Sequence, residues 1–210
     1  MPVFKQYIGS SCRWGIWKAD ETVEELLALL PHKEKYEADI CGFTANSRKL
    51  ERLAVRVLLY KMLGEEKEIG YRSSGKPYLA DGSAASISIS HTKGYVAVLL
   101  GGPEKEVGID VECYGERVRK VAHKFVREDE SVSWYKGTET WSLLLHWSAK
   151  ETMFKCMNTS DVDFRKHLHI LPFTVEEQGV FSAVEYRTAE KRNFRIHYYL
   201  FPDFVLTLSL

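Results

Sequence analysis

The order of strand-like and helix-like segments limits the fold of this chain more than any other feature of its sequence. A continuous apolar segment at residues 95–100 predicts a buried strand, and a turn predicted at Gly101-Gly102-Pro103 separates it from a second strand at residues 107–111. Helical patterns lie on both sides of this pair, without the regular alternation that a purely parallel sheet requires. The sequence therefore predicts a mixed α/β fold of α+β-like character.

Both halves of the chain contain helices and a strand hairpin, which indicates a duplicated unit with its boundary at residues 101–106 and halves 1–105 and 106–210. The first helix follows a Thr22–Glu25 capping box, and the second stops at Gly64. The predicted helices span residues 23–30, 48–63, 117–135 and 138–157, and the other extended segments span residues 3–18, 86–90, 180–187, 194–201 and 205–208, the last two joined by a Pro202-Asp203 turn.

Charge and cysteine content exclude several classes of protein. Lys plus Arg and Asp plus Glu each number 29, so the net charge is zero and the overall field favours neither nucleic acid nor an anionic membrane. The 4 cysteines lack the spacing of a zinc site. A disulfide framework is not expected either, because a chain of this length can form a full hydrophobic core without one. With no apolar run that could span a bilayer and no signal peptide, we expect a cytoplasmic protein with free thiols.

Two acidic side chains are separated by one residue within a predicted strand. Asp110 and Glu112 therefore point to the same face. Neighbouring carboxylates repel each other unless a cation lies between them, and Mg²⁺ prefers oxygen ligands. The alternative interpretation is a pair of solvated acids on an edge strand.

A stripe of three functional side chains follows on the last predicted helix. Trp147, Glu151 and Lys155 are spaced four residues apart and share one face. Glu151 is suited to be a third metal ligand or a general base, and Lys155 is suited to hold a phosphate or to protonate a leaving oxygen. The alternative is an exposed ion pair of the kind that is common on helices.

Cationic and hydrogen-bonding residues suited to phosphate precede these acids. Arg48, Arg52 and Arg56 form one stripe on a predicted helix, with Lys33 and Lys35 upstream. The alternative interpretation of this stripe is a solvated helix face.

The Lys76-Pro77 loop and the Ser90-His91 pair add further donors, although each also fits a plain turn or a surface histidine. A Ser-His-Asp hydrolase is disfavoured because the chain lacks the Gly-x-Ser-x-Gly elbow. Taken together, the groups predict a diphosphate substrate held on a divalent cation.

The order of these motifs is similar to that of one family. Gly-Ile-Asp-Val-Glu at residues 108–112 and Trp-Ser-Ala-Lys-Glu-x-x-x-Lys at residues 147–155 resemble the paired signature of the surfactin-type 4′-phosphopantetheinyl transferases, and Gly-Lys-Pro and Ser-Ile-Ser-His precede them in family order. The resemblance implies a monomeric pseudo-dimer of two similar α/β halves, with coenzyme A and the active site in the cleft between them.

The resemblance also implies roles for the acidic residues and one lysine. Asp110, Glu112 and Glu151 match the family's metal-binding acids, which hold Mg²⁺, with Mn²⁺ as the alternative metal. Glu151 further matches the residue that helps to deprotonate the acceptor serine. Lys155 matches the lysine beside the diphosphate, so Asp110, Glu151 and Lys155 form the expected catalytic set.

The remaining matches concern coenzyme A and the packing of the second half. Phe125 and Glu130 resemble a Phe-x-x-x-x-Glu segment, and Thr152 departs from the smaller residue usual at its position. The matched coenzyme A contacts are Lys76 and Pro77 on the adenine side, Ser90 and His91 at phosphate, Arg52 with Lys33 at the 3′-phosphate, and Arg56 as the second arginine of that helix.

By this resemblance the chain is an enzyme of the holo-[acyl-carrier-protein] synthase type. It would move phosphopantetheine from coenzyme A to a serine of an apo acyl or peptidyl carrier protein and release 3′,5′-ADP. Two alternatives stay open: a Mg²⁺-dependent nucleotide diphosphate hydrolase, and a non-catalytic module that binds coenzyme A.

Overall fold

The chain folds as two units of mixed helix and strand, Met1–Lys105 and Glu106–Leu210. The computed structural model describes residues 5–9, 12–103, 105–157 and 159–210. Residues 3, 4, 10 and 11 of the extended segment predicted at 3–18 therefore lie outside the described residues. Sheets and helices occur in both units, which confirms the predicted mixed α/β class.

The first unit is built around the apolar segment that the sequence singles out. Its elements are β1 (Lys5–Ile8), β2 (Cys12–Lys18), α1 (Val23–Ala28), α2 (Lys33–Ile40), α3 (Asn46–Leu63), β3 (Ile69–Tyr71), β4 (Pro77–Leu79), β5 (Ala85–Thr92) and β6 (Tyr95–Pro103). An antiparallel sheet has the order β1-β2-β6-β5, and β3 and β4 form a separate ribbon. Because β6 is an inner strand covered by α3, it is apolar at nearly every position.

The second unit places one long helix against a five-stranded sheet. Its elements are β7 (Gly108–Cys113), α4 (Arg117–Val121), a 3₁₀ turn (Ala122–Lys124), α5 (Thr140–Cys156), α6 (Phe164–His167), β8 (Leu168–Ile170), β9 (Gln178–Glu185), β10 (Asn193–Leu200) and β11 (Phe204–Ser209). The sheet is antiparallel with the order β7-β11-β10-β9-β8. Helix α5 packs on β7 and β11, so it faces the strand that carries Asp110 and Glu112.

Local signals fix several element ends as predicted. Glu25 N donates to Thr22 Oγ1 at 3.2 Å and Thr22 N donates to Glu25 Oε2 at 2.8 Å, which completes the capping box of α1. Helix α3 ends at Gly64, whose φ of 75° is the left-handed conformation that glycine adopts without strain. The turn between β10 and β11 lies at residues 202–203 as expected.

Two predicted elements are wrong in extent. Gly101-Gly102-Pro103 is not a turn, because Gly101 pairs with Cys12 on one side and Ser86 on the other, and Pro103 pairs with Ala85.

The helix predicted over residues 117–135 ends at Lys124. Phe125 is buried, and its carbonyl accepts a hydrogen bond from Lys150 Nζ at 2.6 Å instead of from the next helical turn. Arg127 N donates to Glu130 Oε2 at 2.8 Å and closes a local turn. Tertiary contacts with α5 therefore override the helical pattern of this segment.

Candidate active site

Strand β7 presents Asp110 and Glu112 from the edge of the second sheet. Their neighbours Ile109 and Val111 are buried, and Asp110 is opposite Thr207 of the adjacent strand. Asp110 is itself only 3% exposed, so this carboxylate is held inside the protein and not on a solvated edge. Such burial is unusual for an aspartate that has no function or ion-pair partner.

Helix α5 brings the three residues of its predicted stripe to these two acids. Lys155 Nζ donates to Asp110 Oδ1 at 2.8 Å and to the Ile109 carbonyl at 2.9 Å. Trp147 Nε1 donates to Glu112 Oε1 at 2.9 Å. Glu151 is one helical turn from each donor, so the two signatures of the sequence meet in one place.

Burial and the nearby charge of Asp110 change the ionisation of the other two carboxylates, Glu112 and Glu151. Burial, followed by the charge of Asp110, raises the pKa of Glu151 to about 7. Burial and the Asp110 charge also raise the pKa of Glu112. An arrangement that makes carboxylates this difficult to ionise is stabilised by a cation.

The carboxylate oxygens of this site have the chemistry that a divalent metal requires, but they do not surround a single point. Among the residues that the structure describes, no three acidic, histidine or cysteine side chains form a finished metal site as they stand. The Lys155 ammonium lies against Asp110 Oδ1 and supplies positive charge there. Asp110, Glu112 and Glu151 offer the oxygen ligands that Mg²⁺ and Mn²⁺ prefer.

The indole of Trp147 is itself fixed by aromatic neighbours. Its ring meets Phe125 edge-on with centroids 5.3 Å apart and lies 5.5 Å from the ring of Phe164. Such contacts limit the rotation of the indole. Its hydrogen bond therefore orients Glu112.

Sequence reasoning missed the role of Lys150, which lies inside the second signature. Its side chain is wholly buried, as is that of Glu130, and the two form an ion pair at 2.8 Å. Lys150 Nζ also donates to the carbonyls of Phe125 and Phe164, at 2.6 and 3.2 Å. The apolar residues three and four positions away on α5, such as Met153, were a signal that Lys150 faces the core.

Glycine at position 108 allows β7 and α5 to approach closely. A Cβ atom at this position would lie 2.2 Å from the Thr152 carbonyl oxygen and 2.8 Å from Cys156 Sγ. The glycine of the first signature is thus required by packing against the second signature.

The structure explains the unusual threonine of the second signature. Thr152 Oγ1 is 2.7 Å from Thr207 Oγ1 on β11, and Ser148 Oγ is 2.8 Å from the same oxygen. Thr152 is buried, and this hydroxyl chain satisfies its polar atom. The extra hydroxyl therefore adds a link between α5 and the sheet.

The predicted basic stripe of the first unit faces a carboxylate that the sequence did not reveal. Arg52 Nε and Nη2 donate to the two oxygens of Asp39, each at 2.8 Å, and Arg56 Nη2 is 3.5 Å from Asp39 Oδ2. A cavity of about 270 Å³ is lined by both arginines and by Lys35. Lys33, at the start of α2, is exposed and is not among the lining residues.

The other predicted phosphate ligands lie along β5 and β4. His91 is exposed, with Nδ1 3.6 Å from Glu51 Oε2, and Ser90 is buried. Lys76 and Pro77 are partly buried where the turn around Gly75 leads into β4. Glu51 also accepts a hydrogen bond from Arg48, so β5 and the N-terminal half of α3 share one polar network.

Comparison with known proteins finds a family match for the second unit of the chain. Residues 106–209 match the model of the family described as the 4′-phosphopantetheinyl transferase superfamily. The matched region contains both signatures and covers the second unit except for its last residue. No curated protein matches the chain significantly. Within the described part of the chain, no helix combines the length and apolar character needed to cross a bilayer.

Proposed function

We propose that this chain, whose second unit carries a 4′-phosphopantetheinyl transferase superfamily domain, is a surfactin-type transferase. It moves phosphopantetheine from coenzyme A to a serine of an apo acyl or peptidyl carrier protein and releases 3′,5′-ADP. The observation that carries the proposal is the meeting of the two signatures, in which Lys155 and Trp147 of α5 bind Asp110 and Glu112 of β7.

The acidic residues are assigned to the metal and to proton transfer. A divalent cation held by Asp110, Glu112 and Glu151 would neutralise negative charge on the diphosphate as the reaction proceeds. Glu151 accepts the proton of the carrier serine, directly or through one water, as the serine oxygen attacks the phosphorus that bears pantetheine. Glu112 is kept in place by the Trp147 hydrogen bond.

Lys155 is assigned to the leaving group. The bond between the attacked phosphorus and the bridging oxygen of the diphosphate breaks as the new phosphorus–oxygen bond forms. The negative charge then develops on the 5′-phosphate of the departing 3′,5′-ADP. Lys155 stabilises that charge, and its present contact with Asp110 keeps the ammonium at the site before substrate arrives.

The first unit is assigned to coenzyme A itself. Its donors differ in exposure, from the exposed His91 to the largely buried Arg56. The residues proposed to contact the nucleotide and phosphates are Lys33, Arg52, Arg56, Lys76, Pro77, Ser90 and His91.

The experiment that tests this proposal measures release of 3′,5′-ADP by chromatography. The protein is incubated with coenzyme A and Mg²⁺, with and without a panel of apo carrier proteins, and with EDTA as the metal-free control. The proposal predicts release only when a carrier and Mg²⁺ are both present. Release without any carrier would support the hydrolase instead, and binding of coenzyme A without release would support the non-catalytic module.

A further inference from the structure

A cationic cavity lies in the first unit between α2, α3 and the start of β3. Its lining residues are Lys35, Tyr36, Asp39, Arg52, Arg56, Lys67, Glu68 and Ile69, and its volume is about 270 Å³. Lys67 is paired with Asp81 at 2.6 Å and with Glu65 at 3.1 Å. The remaining charged lining residues are three cations and two carboxylates, which leave a net charge of plus one. A phosphate monoester carries about two negative charges near neutral pH and is the complementary ligand.

Arg56 is the most deeply buried cation of this cavity. Its side chain is 6% exposed, and within the described residues its buried Nη1 has no hydrogen-bond partner. Burial lowers the pKa of Arg56, which reflects the cost of holding its charge away from water. A buried charged donor that lacks an acceptor is costly, so a bound anion would be stabilising.

Asp39 occupies the position that such an anion would prefer. Arg52 donates from Nε and Nη2 to the two carboxylate oxygens of Asp39, at 2.8 Å each. This forked pairing is the geometry that arginine also uses for phosphate. The hydrogen bonds from Arg52 lower the pKa of Asp39, so this carboxylate is a charged competitor at neutral pH.

We propose that Asp39 sets the affinity of this cavity for a phosphate monoester by competing for the forked face of Arg52. The proposal rests on the proposed function in that coenzyme A and 3′,5′-ADP carry such a monoester on the ribose, apart from the 5′-phosphate. Asp39 is a specificity-determining residue here, because it decides how much the cavity gains from the monoester. It takes no part in the transfer of phosphopantetheine.

The test compares the binding of 3′,5′-ADP and 5′-ADP by calorimetry, without metal or carrier. The affinities for the two ligands should differ more in Asp39→Asn than in the parent protein. We expect the variant to bind 3′,5′-ADP about tenfold more tightly than the parent does, and to bind 5′-ADP with unchanged affinity. Glu68→Gln removes an equal charge from the same cavity without touching Arg52, and we expect at most about a twofold effect.

A second measurement, the shift in melting temperature caused by phosphate, can be made even when the variant is less stable than the parent. The melting temperature is compared in phosphate and in chloride at equal ionic strength, and inorganic phosphate should stabilise Asp39→Asn more than the parent. Unchanged or weaker binding of 3′,5′-ADP by a folded Asp39→Asn variant, or equal binding of both nucleotides by every variant, would overturn the inference. Neither measurement requires transfer of phosphopantetheine. The inference about Asp39 can therefore fail while the proposed transferase activity is confirmed, and the reverse is also possible.

Discussion

The indole of Trp147 on α5 donates its Nε1 proton to Glu112 Oε1 on β7 at 2.9 Å. This bond joins a residue of the second signature to one of the first, across the packed helix and strand. Burial and the charge of Asp110 raise the pKa of Glu112, whereas the indole donor favours its ionised form. Trp147 therefore orients a proposed metal ligand and opposes the rise in its pKa.

Replacing Trp147 with Phe should lower the transfer rate about tenfold, because removing a group that orients a metal ligand has effects of that size. The Mg²⁺ concentration needed for half-maximal rate should rise as well. Trp141→Phe is the matched control, since Trp141 lies on the same helix but contacts Tyr114 at 4.5 Å between ring centroids. Equal losses in the two variants would show that Trp147 acts only through packing.

Gly108→Ala should destabilise the second unit by about 3 kcal/mol, because the new methyl group would overlap the Thr152 carbonyl, which is fixed backbone. Gly115→Ala is the control, since its Cβ would meet nothing within 4 Å. Urea denaturation measures both variants. A Gly108→Ala protein as stable as the parent would contradict the close approach of β7 and α5.

Lys150→Met should lower the free energy of unfolding by about 3–5 kcal/mol, because it leaves the buried carboxylate of Glu130 without its cation. The loss should appear in stability measured by denaturant even when no substrate is present. Lys166→Met, at an exposed lysine of α6, should change stability by less than about 0.5 kcal/mol. A Lys150→Met protein that unfolds like the parent but has lost activity would instead place Lys150 in the chemistry.

The pH dependence of stability should carry a contribution from His146. Burial lowers the pKa of His146 below its ordinary value of 6.5, and the ring is 1% exposed, with Nδ1 donating to the Ser142 carbonyl at 2.7 Å. The unfolded chain therefore takes up more protons than the folded chain as the pH falls through 6.5. The contribution of His146 is complete above that pH and is lost below it.

His146→Gln removes this titration, so the difference in unfolding free energy between parent and variant should shrink from pH 8 to pH 5. The exposed His123→Gln variant serves as the reference for a histidine change without burial. Urea midpoints across that pH range provide the measurement. A constant difference between the parent and His146→Gln would show that His146 is not held neutral in the folded protein.

Local sequence signals predicted those features that depend on neighbours in the chain. The Thr22–Glu25 capping box and the glycine end of α3 need only residues within one or two turns. The spacing of Trp147, Glu151 and Lys155 likewise predicts their common face, because all three lie on the helix α5.

Features that depend on distant partners could not be predicted from local patterns. The helix that begins at Arg117 ends before Phe125 because Lys150 Nζ donates a hydrogen bond to the Phe125 carbonyl. Lys150 and Phe125 are 25 positions apart in the chain. Asp39 binds Arg52 across the packing of α2 on α3, and the sequence shows a basic stripe without showing what neutralises it. In both cases a tertiary ion pair or hydrogen bond decides the outcome against local propensity.

The most direct test of the proposed function is the intact mass of an apo carrier protein after incubation with this protein, coenzyme A and Mg²⁺. We predict a single increase equal to one phosphopantetheine group, which is abolished by EDTA and by Glu151→Gln, and which persists in the control Glu177→Gln at an exposed glutamate. An unmodified mass across acyl, peptidyl and aryl carriers, with the protein folded and coenzyme A bound, would contradict it.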